Sequence, residues 1–103
     1  MPEIEVNYRP EAKRYVAKVE GSDAEAYIDV MPGDTVWIFS HVEVDPSLEG
    51  QGVASQLVRG ALADIRAQGL AIMPLCPYLL TYLRRHPEEA DVVHPRFKSM
   101  VGG

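Results

Sequence analysis

Apolar and polar residues alternate along the first third of the chain. Ile4-Glu5-Val6-Asn7-Tyr8 carries an apolar side chain at every second position, as a half-buried strand does. Arg9-Pro10-Glu11-Ala12 reads as a turn with proline at its second position. From Arg14 to Glu20 the alternation returns, with Tyr15, Ala17 and Val19 on one face. Gly21-Ser22-Asp23 marks a second turn. Ala24 to Met31 forms a third strand, with Ala26, Ile28 and Val30 on one side, and Pro32-Gly33-Asp34 closes it. These segments predict an antiparallel meander with short connections. Thr35 to Val44 is the strongest strand. Its strict alternation assigns Val36, Ile38, Ser40, Val42 and Val44 to one face and Trp37, Phe39, His41 and Glu43 to the other. Apolar residues on both faces of its first half predict a central strand covered on both sides. Its last half ends in the polar pair His41 and Glu43.

After Val44 the period changes from two to 3.6. A short turn carrying Pro46 leads to Gly50 and Gly52, and a helix is predicted from about Gly50 to Gln68. Ala54, Leu57, Val58, Ala61, Leu62 and Ile65 form its apolar stripe, while Gln56, Arg59, Asp64 and Arg66 fall off it. Gly69 suits the C-terminal cap. Ala71-Ile72-Met73-Pro74-Leu75 is a short apolar strand whose ladder Pro74 interrupts near its end. Strand, helix and strand in this order predict a right-handed crossover and a parallel pair. Pro77 opens a second helix that reaches about Arg85, with Tyr78 and Tyr82 on one face and Leu79 and Leu83 on a neighbouring one. Pro87 stops it. The tail from Glu88 holds an apolar Val92-Val93 and is expected to pack in part and fray at its end. The fold class is therefore α/β, with a mixed sheet.

Composition narrows the function. A chain of 103 residues, 47% hydrophobic and 24% charged, is expected to form one soluble globular domain over residues 1–103. No apolar run approaches the roughly 20 residues of a spanning helix, and Met1-Pro2-Glu3-Ile4-Glu5 lacks a secretion signal, so no membrane role is expected. Cys76 is the single cysteine, which excludes an internal disulfide and makes a reducing cytoplasm the expected compartment. A net charge of −5 argues against general nucleic-acid binding and mildly favours cationic partners such as amines.

The turn between the strongest strand and the long helix is where chemistry is expected. Gly50 and Gly52 permit backbone angles that a Cβ blocks, and the first N–H groups of a helix lack partners within it. Such a turn can cradle a phosphate or pyrophosphate at the positive end of the helix dipole. Equally, the glycines can serve steric needs alone.

Four segments in register carry a resemblance. His41-Val42-Glu43-Val44, Leu48-Glu49-Gly50-Gln51-Gly52-Val53-Ala54-Ser55, Pro74-Leu75-Cys76-Pro77-Tyr78 and Arg85-His86-Pro87-Glu88 resemble a small, single-domain member of the GNAT acyltransferase superfamily, in its compact subgroup with a Pro-Leu-Cys-Pro motif. The superfamily signature is Arg or Gln, two residues, Gly, one residue, then Gly or Ala. Gly52 and Ala54 fill its last positions, and Glu49 departs from its first.

The resemblance implies a GNAT-like mixed sheet, with an antiparallel meander, a β-α-β unit and a short C-terminal helix. It implies acetyl-CoA as co-substrate, no metal, and an amine acceptor, either a small molecule or a protein. The pyrophosphate is expected on the backbone N–H groups of Gly50, Gln51, Gly52, Val53 and Ala54, with Ser55 close by. The pantetheine arm is expected along Val42, Glu43 and Val44, in a gap whose other side is Ala71 to Leu75. Cys76, at a helix start that can lower a thiol pKa, is either a transient acyl carrier or a polar wall, or else a small buried hydrophobe. His41 and Glu43 are candidate bases. Tyr78 and Tyr82 are candidates for lining the pantetheine channel or protonating the leaving thiolate, with at least one expected in the core. His86 is expected to cap or pack the helix end. Arg84 and Arg85 are expected as solvated charge. An open acceptor site and a monomer or weak dimer complete the expectation.

Overall fold

The computed structural model describes residues 3–102. The strands β1 (Ile4–Arg9), β2 (Arg14–Val19), β3 (Glu25–Met31), β4 (Val36–Val44) and β5 (Ala71–Pro74) form one sheet in that order. The first four are antiparallel, and β5 runs parallel to β4. Helix α1 (Val53–Ala67) connects β4 to β5, and α2 (Pro77–Arg85) follows. The meander, the parallel pair and both helices agree with the sequence pattern. Ala12 N–H donates to Arg9 O in the Pro10 turn, and Lys13 takes a φ of 52° to finish it.

Helix α1 begins at Val53 rather than at Gly50, because Gly50 and Gly52 hold φ of 79° and 75°, outside helical space. Its other end closes as expected: Gly69, at φ 70°, donates to Arg66 O, and Leu70 N–H donates to Ile65 O. Leu57, Val58, Ala61, Leu62 and Ile65 bury the stripe on one face of the sheet. On that face Ile4, Val6 and Tyr8 stand in register with Val19, Ala17 and Tyr15, which continue into Ala26 and Ile28. Tyr15 anchors the layers: its hydroxyl donates to Asp64 of α1 at 2.6 Å, and its ring lies 5.0 Å from Tyr8 and 5.8 Å from Phe39.

The face assignment of β4 differs from strict alternation. Asp29 of β3 pairs with His41 and Val30 pairs with Phe39, so Ser40 has no opposite residue. This is a β-bulge, and one extra residue exchanges the two faces beyond it. The Ser40 hydroxyl donates to Asp29 O at 3.2 Å across the irregularity. Trp37, Phe39, Val42 and Val44 thus all face α1, where Val42 and Val44 pack against the core. Val36, Ile38, His41 and Glu43 share the opposite face. The expectation that β4 is covered on both sides is also corrected, since Val36 and Ile38 are only half-buried and lie outside the core.

The tail packs more fully than its sequence suggests. Two 3₁₀ turns, Pro87–Val92 and Pro95–Val101, bury Val92, Val93 and Val101, and Val93 forms a parallel bridge with Ile72. Arg66 of α1 grips Asp91 through two hydrogen bonds of 2.8 and 2.7 Å. The frayed end expected at Gly103 lies outside the described residues.

At Gly60 the helix passes close over β1: a Cβ there would stand 2.9 Å from Val6 side-chain carbons. Alanine is the better helix former by about 1 kcal/mol, yet overpacking typically costs about 1–3 kcal/mol. Gly60→Ala is expected to lower the urea midpoint, and combining it with Val6→Ala should recover part of the loss. A Gly60→Ala protein more stable than the parent would contradict this packing.

Candidate active site

The parallel ladder between β4 and β5 is short. It runs from Val36 and Ala71 to Phe39 and Pro74. There the Phe39 carbonyl accepts two N–H groups, from Leu75 at 2.9 Å and from Cys76 at 3.2 Å. Pro74 has no N–H to offer, and Pro77 turns the chain into α2. The strand β4 continues to Val44 without β5 beside it. Asp45 N–H donates to Glu25 O on the β3 side. By the alternation of a strand, Val42 and Val44 aim their N–H and C=O groups the other way, into the gap that β5 has left.

A cleft of about 360 Å³ opens at this gap, on the α1 side of the sheet. Its lining combines Val42 and Val44 with Gly50, Gly52, Val53, Ala54, Ser55 and Tyr78, all expected from sequence, and adds Leu48 and Glu49. Leu48 is buried and pins the turn between β4 and α1. Asp45 shapes that turn by accepting hydrogen bonds from the Ser47 N–H at 2.9 Å and the Ser47 hydroxyl at 2.7 Å. The Ser47 donors, its N–H foremost, hold the Asp45 carboxyl below the usual range. At α1 the first helical bond runs from Gln56 N–H to Gly52 O, so the N–H groups of Val53, Ala54 and Ser55 have no acceptor within the helix. Left-handed Gly50 and Gly52 bend the chain so that this helix end forms one wall of the cleft.

The other expected residues are distributed around the gap. Gln51 does not line the cleft, and its side chain donates to Ser47 O at 3.1 Å. His41 and Glu43 stand on the far face of the sheet, joined Nε2 to Oε2 at 2.7 Å and each 54% exposed. The main chain of Glu43 faces β3, in register with Tyr27. The Tyr27 ring lies 6.4 Å from His41 and carries the Arg14 guanidinium 3.8 Å above it. Cys76 is buried at the N-cap of α2 and belongs to the core cluster. Tyr78 and Tyr82 part company. Tyr78 is 39% exposed and faces the cleft, whereas Tyr82 is buried and donates its hydroxyl to Glu89 at 2.6 Å. Burial, and then this carboxylate, push the Tyr82 phenol up from its ordinary value. Tyr82 lines a smaller adjoining cavity with Ser55, Tyr78, Thr81, Arg85 and His86. His86 stacks on the Tyr82 ring at 4.4 Å, and Arg84 donates to Met100 O at 2.9 Å.

Among the described residues no group of three or more His, Cys, Asp or Glu side chains is arranged to hold a metal ion, and no helix is long and apolar enough to cross a membrane. Sequence reasoning did not single out Leu48 as a cleft residue. Its signal was an apolar side chain following Asp45-Pro46-Ser47, in a turn otherwise polar.

No curated protein matches the chain. The family model described as GCN5-related N-acetyl-transferase matches residues 14–92, a span that begins with β2, ends with the first 3₁₀ turn after α2 and contains every residue of the cleft. With most of its length matched in this way, the chain belongs to the GCN5-related N-acetyl-transferase family.

Proposed function

We propose that this protein transfers an acetyl group from acetyl-CoA to a primary amine by direct attack, with both substrates bound together. The observation that carries the reading is the unpaired edge of β4, with a cleft on one face of the sheet and the His41–Glu43 pair on the other. A thioester entering along the cleft and an amine arriving from the open face can meet through the gap between them. The Pro-Leu-Cys-Pro run and the short chain support a place in the compact subgroup, and one buried thiol suits a reducing cytoplasm.

The residues present fit coenzyme A. The N–H groups of Val53, Ala54 and Ser55, at the positive end of the α1 dipole, suit a diphosphate. Gly50 and Gly52 keep the approach open. Val42 and Val44 offer the alternating N–H and C=O groups that the amide-bearing pantetheine arm needs. Glu49 is the feature that opposes a polyanion, since an acidic residue lines the cleft where the signature has Arg or Gln. Phosphate recognition therefore rests on main-chain donors.

When bound, acetyl-CoA supplies a thioester whose carbonyl carbon is open to attack. The chain's residues do the rest. Free main-chain N–H groups of β4 beyond Phe39 receive the negative charge that grows on the carbonyl oxygen. The His41–Glu43 pair takes the proton that the amine must lose before or during attack. A C–N bond forms as the C–S bond breaks, the CoA sulfur leaves as thiolate, and Tyr78, which faces the cleft, returns a proton to it. Cys76 is buried in the core at the start of α2, next to the end of the β4–β5 ladder, and that burial favours a supporting role over that of acyl carrier.

Three outcomes follow from this reading. Coenzyme A at 100 times its Kd should stabilise the protein by about 2.7 kcal/mol in thermal denaturation, and an unmoved melting curve rejects the reading. Should CoA bind while no amine releases free CoA from acetyl-CoA, a binding module replaces the enzyme. Glu43→Gln and His41→Ala should each displace the pH–rate profile of transfer, and a superimposable profile removes that residue as base. Cys76→Ala should lower kcat while CoA affinity, followed by calorimetry, stays within about twofold, because the thiol is buried at the start of α2 and is not among the residues that line the cleft.

A further inference from the structure

The smaller cavity beside the cleft has a volume of about 90 Å³ and shares Ser55 and Tyr78 with it. Helix spacing builds it. Tyr78, Thr81, Tyr82 and Arg85 fall at i, i+3, i+4 and i+7 of α2, so one face of that helix meets the first turn of α1 at Ser55. His86, the C-cap of α2, completes the lining. Ser55 and Thr81 carry hydroxyls, Arg85 carries a permanent charge, and no Asp or Glu lines the cavity. Glu88 and Glu89, which follow in the chain, are engaged by His86 and by the Tyr82 hydroxyl. Small-molecule pockets typically start at about 300 Å³, so this volume suits one small group rather than a base or a sugar.

The arginines of the chain differ in what they hold. Arg9, Arg14, Arg66 and Arg84 each bind a carboxylate or a main-chain carbonyl. Arg85 has neither a hydrogen bond nor an ion pair among the described residues. The last turn of a helix suits any cation, and in sequence Arg84 and Arg85 are equivalent there. The structure separates them: Arg84 closes on the tail at Met100 O, and Arg85 lines the cavity.

We propose that Arg85 is the phosphate-binding cation of this chain, and that it holds the 3′-phosphate of coenzyme A at this cavity. The inference rests on the acyl-transfer reading above and assigns a specificity residue to it. Coenzyme A carries a diphosphate and, on the same ribose, a 3′-phosphate monoester of about −1.5 to −2 charge at neutral pH. The N–H groups at the start of α1 provide for the diphosphate alone, and Glu49 stands where the signature has Arg or Gln. Ser55 belongs both to that helix end and to the cavity, which sets the two phosphate positions side by side, as a shared ribose requires. The planar fork of an arginine matches a phosphate with two parallel N–H donors.

The test titrates the whole chain with CoA and with dephospho-CoA, which lacks only the 3′-phosphate, and follows binding by calorimetry. The parent should bind CoA about tenfold more tightly, as charge-assisted hydrogen bonds to one phosphate do. Arg85→Ala should bring CoA down to the affinity of dephospho-CoA and leave dephospho-CoA within about twofold, and Arg85→Lys, a point charge without the fork, should keep part of the ratio. Arg84→Ala should leave the ratio unchanged. In phosphorus NMR the 3′-phosphate of bound CoA should titrate at lower pH in the parent than in Arg85→Ala, since a neighbouring guanidinium favours the dianion. Equal affinity of the parent for the two ligands, an Arg85→Ala protein that loses both alike, the same loss in Arg84→Ala, or an unshifted phosphate titration would each overturn this proposal alone. A parent that binds neither ligand overturns the acyl-transfer reading and this proposal with it.

Discussion

The main-chain carbonyl of Phe39 is the point on which the site depends. Its oxygen has two lone pairs and accepts both Leu75 and Cys76 N–H groups, so the last bonds of the parallel ladder converge on one acceptor. Beyond it β5 departs. The alternative, a ladder continued along Ser40 to Val44, would use up the main-chain groups that now border the cleft. Proline at positions 74 and 77 makes the departure stable, since neither residue has an N–H to extend the pairing. The gap is therefore built from backbone, and side-chain substitution around it can tune the site without closing it.

The second constraint is the bulge one residue further on. Without the extra residue, Val42 and Val44 would point to solvent, and His41 and Glu43 would point at α1. Two charged or polar groups would then face a core in which no polar side chain is buried among the described residues. With it, the apolar pair closes one wall of the cleft and the polar pair reaches the open face. The Ser40 hydroxyl takes up the Asp29 carbonyl at the irregularity, so the bulge leaves that group hydrogen-bonded. Bulge and gap together divide the site by face, with cleft and glycine turn on one side and the His41–Glu43 pair on the other.

Rigidity comes from contacts between layers. The Tyr15 hydroxyl on Asp64 ties β2 to α1, and Arg66 on Asp91 ties the end of α1 to the tail. The first of these is partly buried and contributes more than the exposed second, as ion pairs in water are worth about 0–1 kcal/mol. Tyr82 belongs to the same scaffold. Its hydroxyl is committed to Glu89, which leaves Tyr78 as the tyrosine of α2 that faces the cleft. Helical spacing sets both rings on one side of α2, but a side four residues long meets different surroundings at its two ends.

Local pattern was enough for the element order, the helix stripe, the Gly69 cap, the early stop at Pro74 and the glycine turn. Each rests on a periodicity or a backbone preference contained within one short segment. The four motifs in register added the family, which the match over residues 14–92 bears out. What the sequence could not express was the parity of β4. Val36, Ile38, Val42 and Val44 alternate without a break, and only the hydrogen-bond register with β3 reveals that Ser40 is an extra residue. The burial of Cys76 and the separation of Tyr78 from Tyr82 are likewise decided by elements far apart in sequence. Periodicity reports which residues share a face of one element, whereas the meeting of elements is a matter of cross-strand bonding and packing.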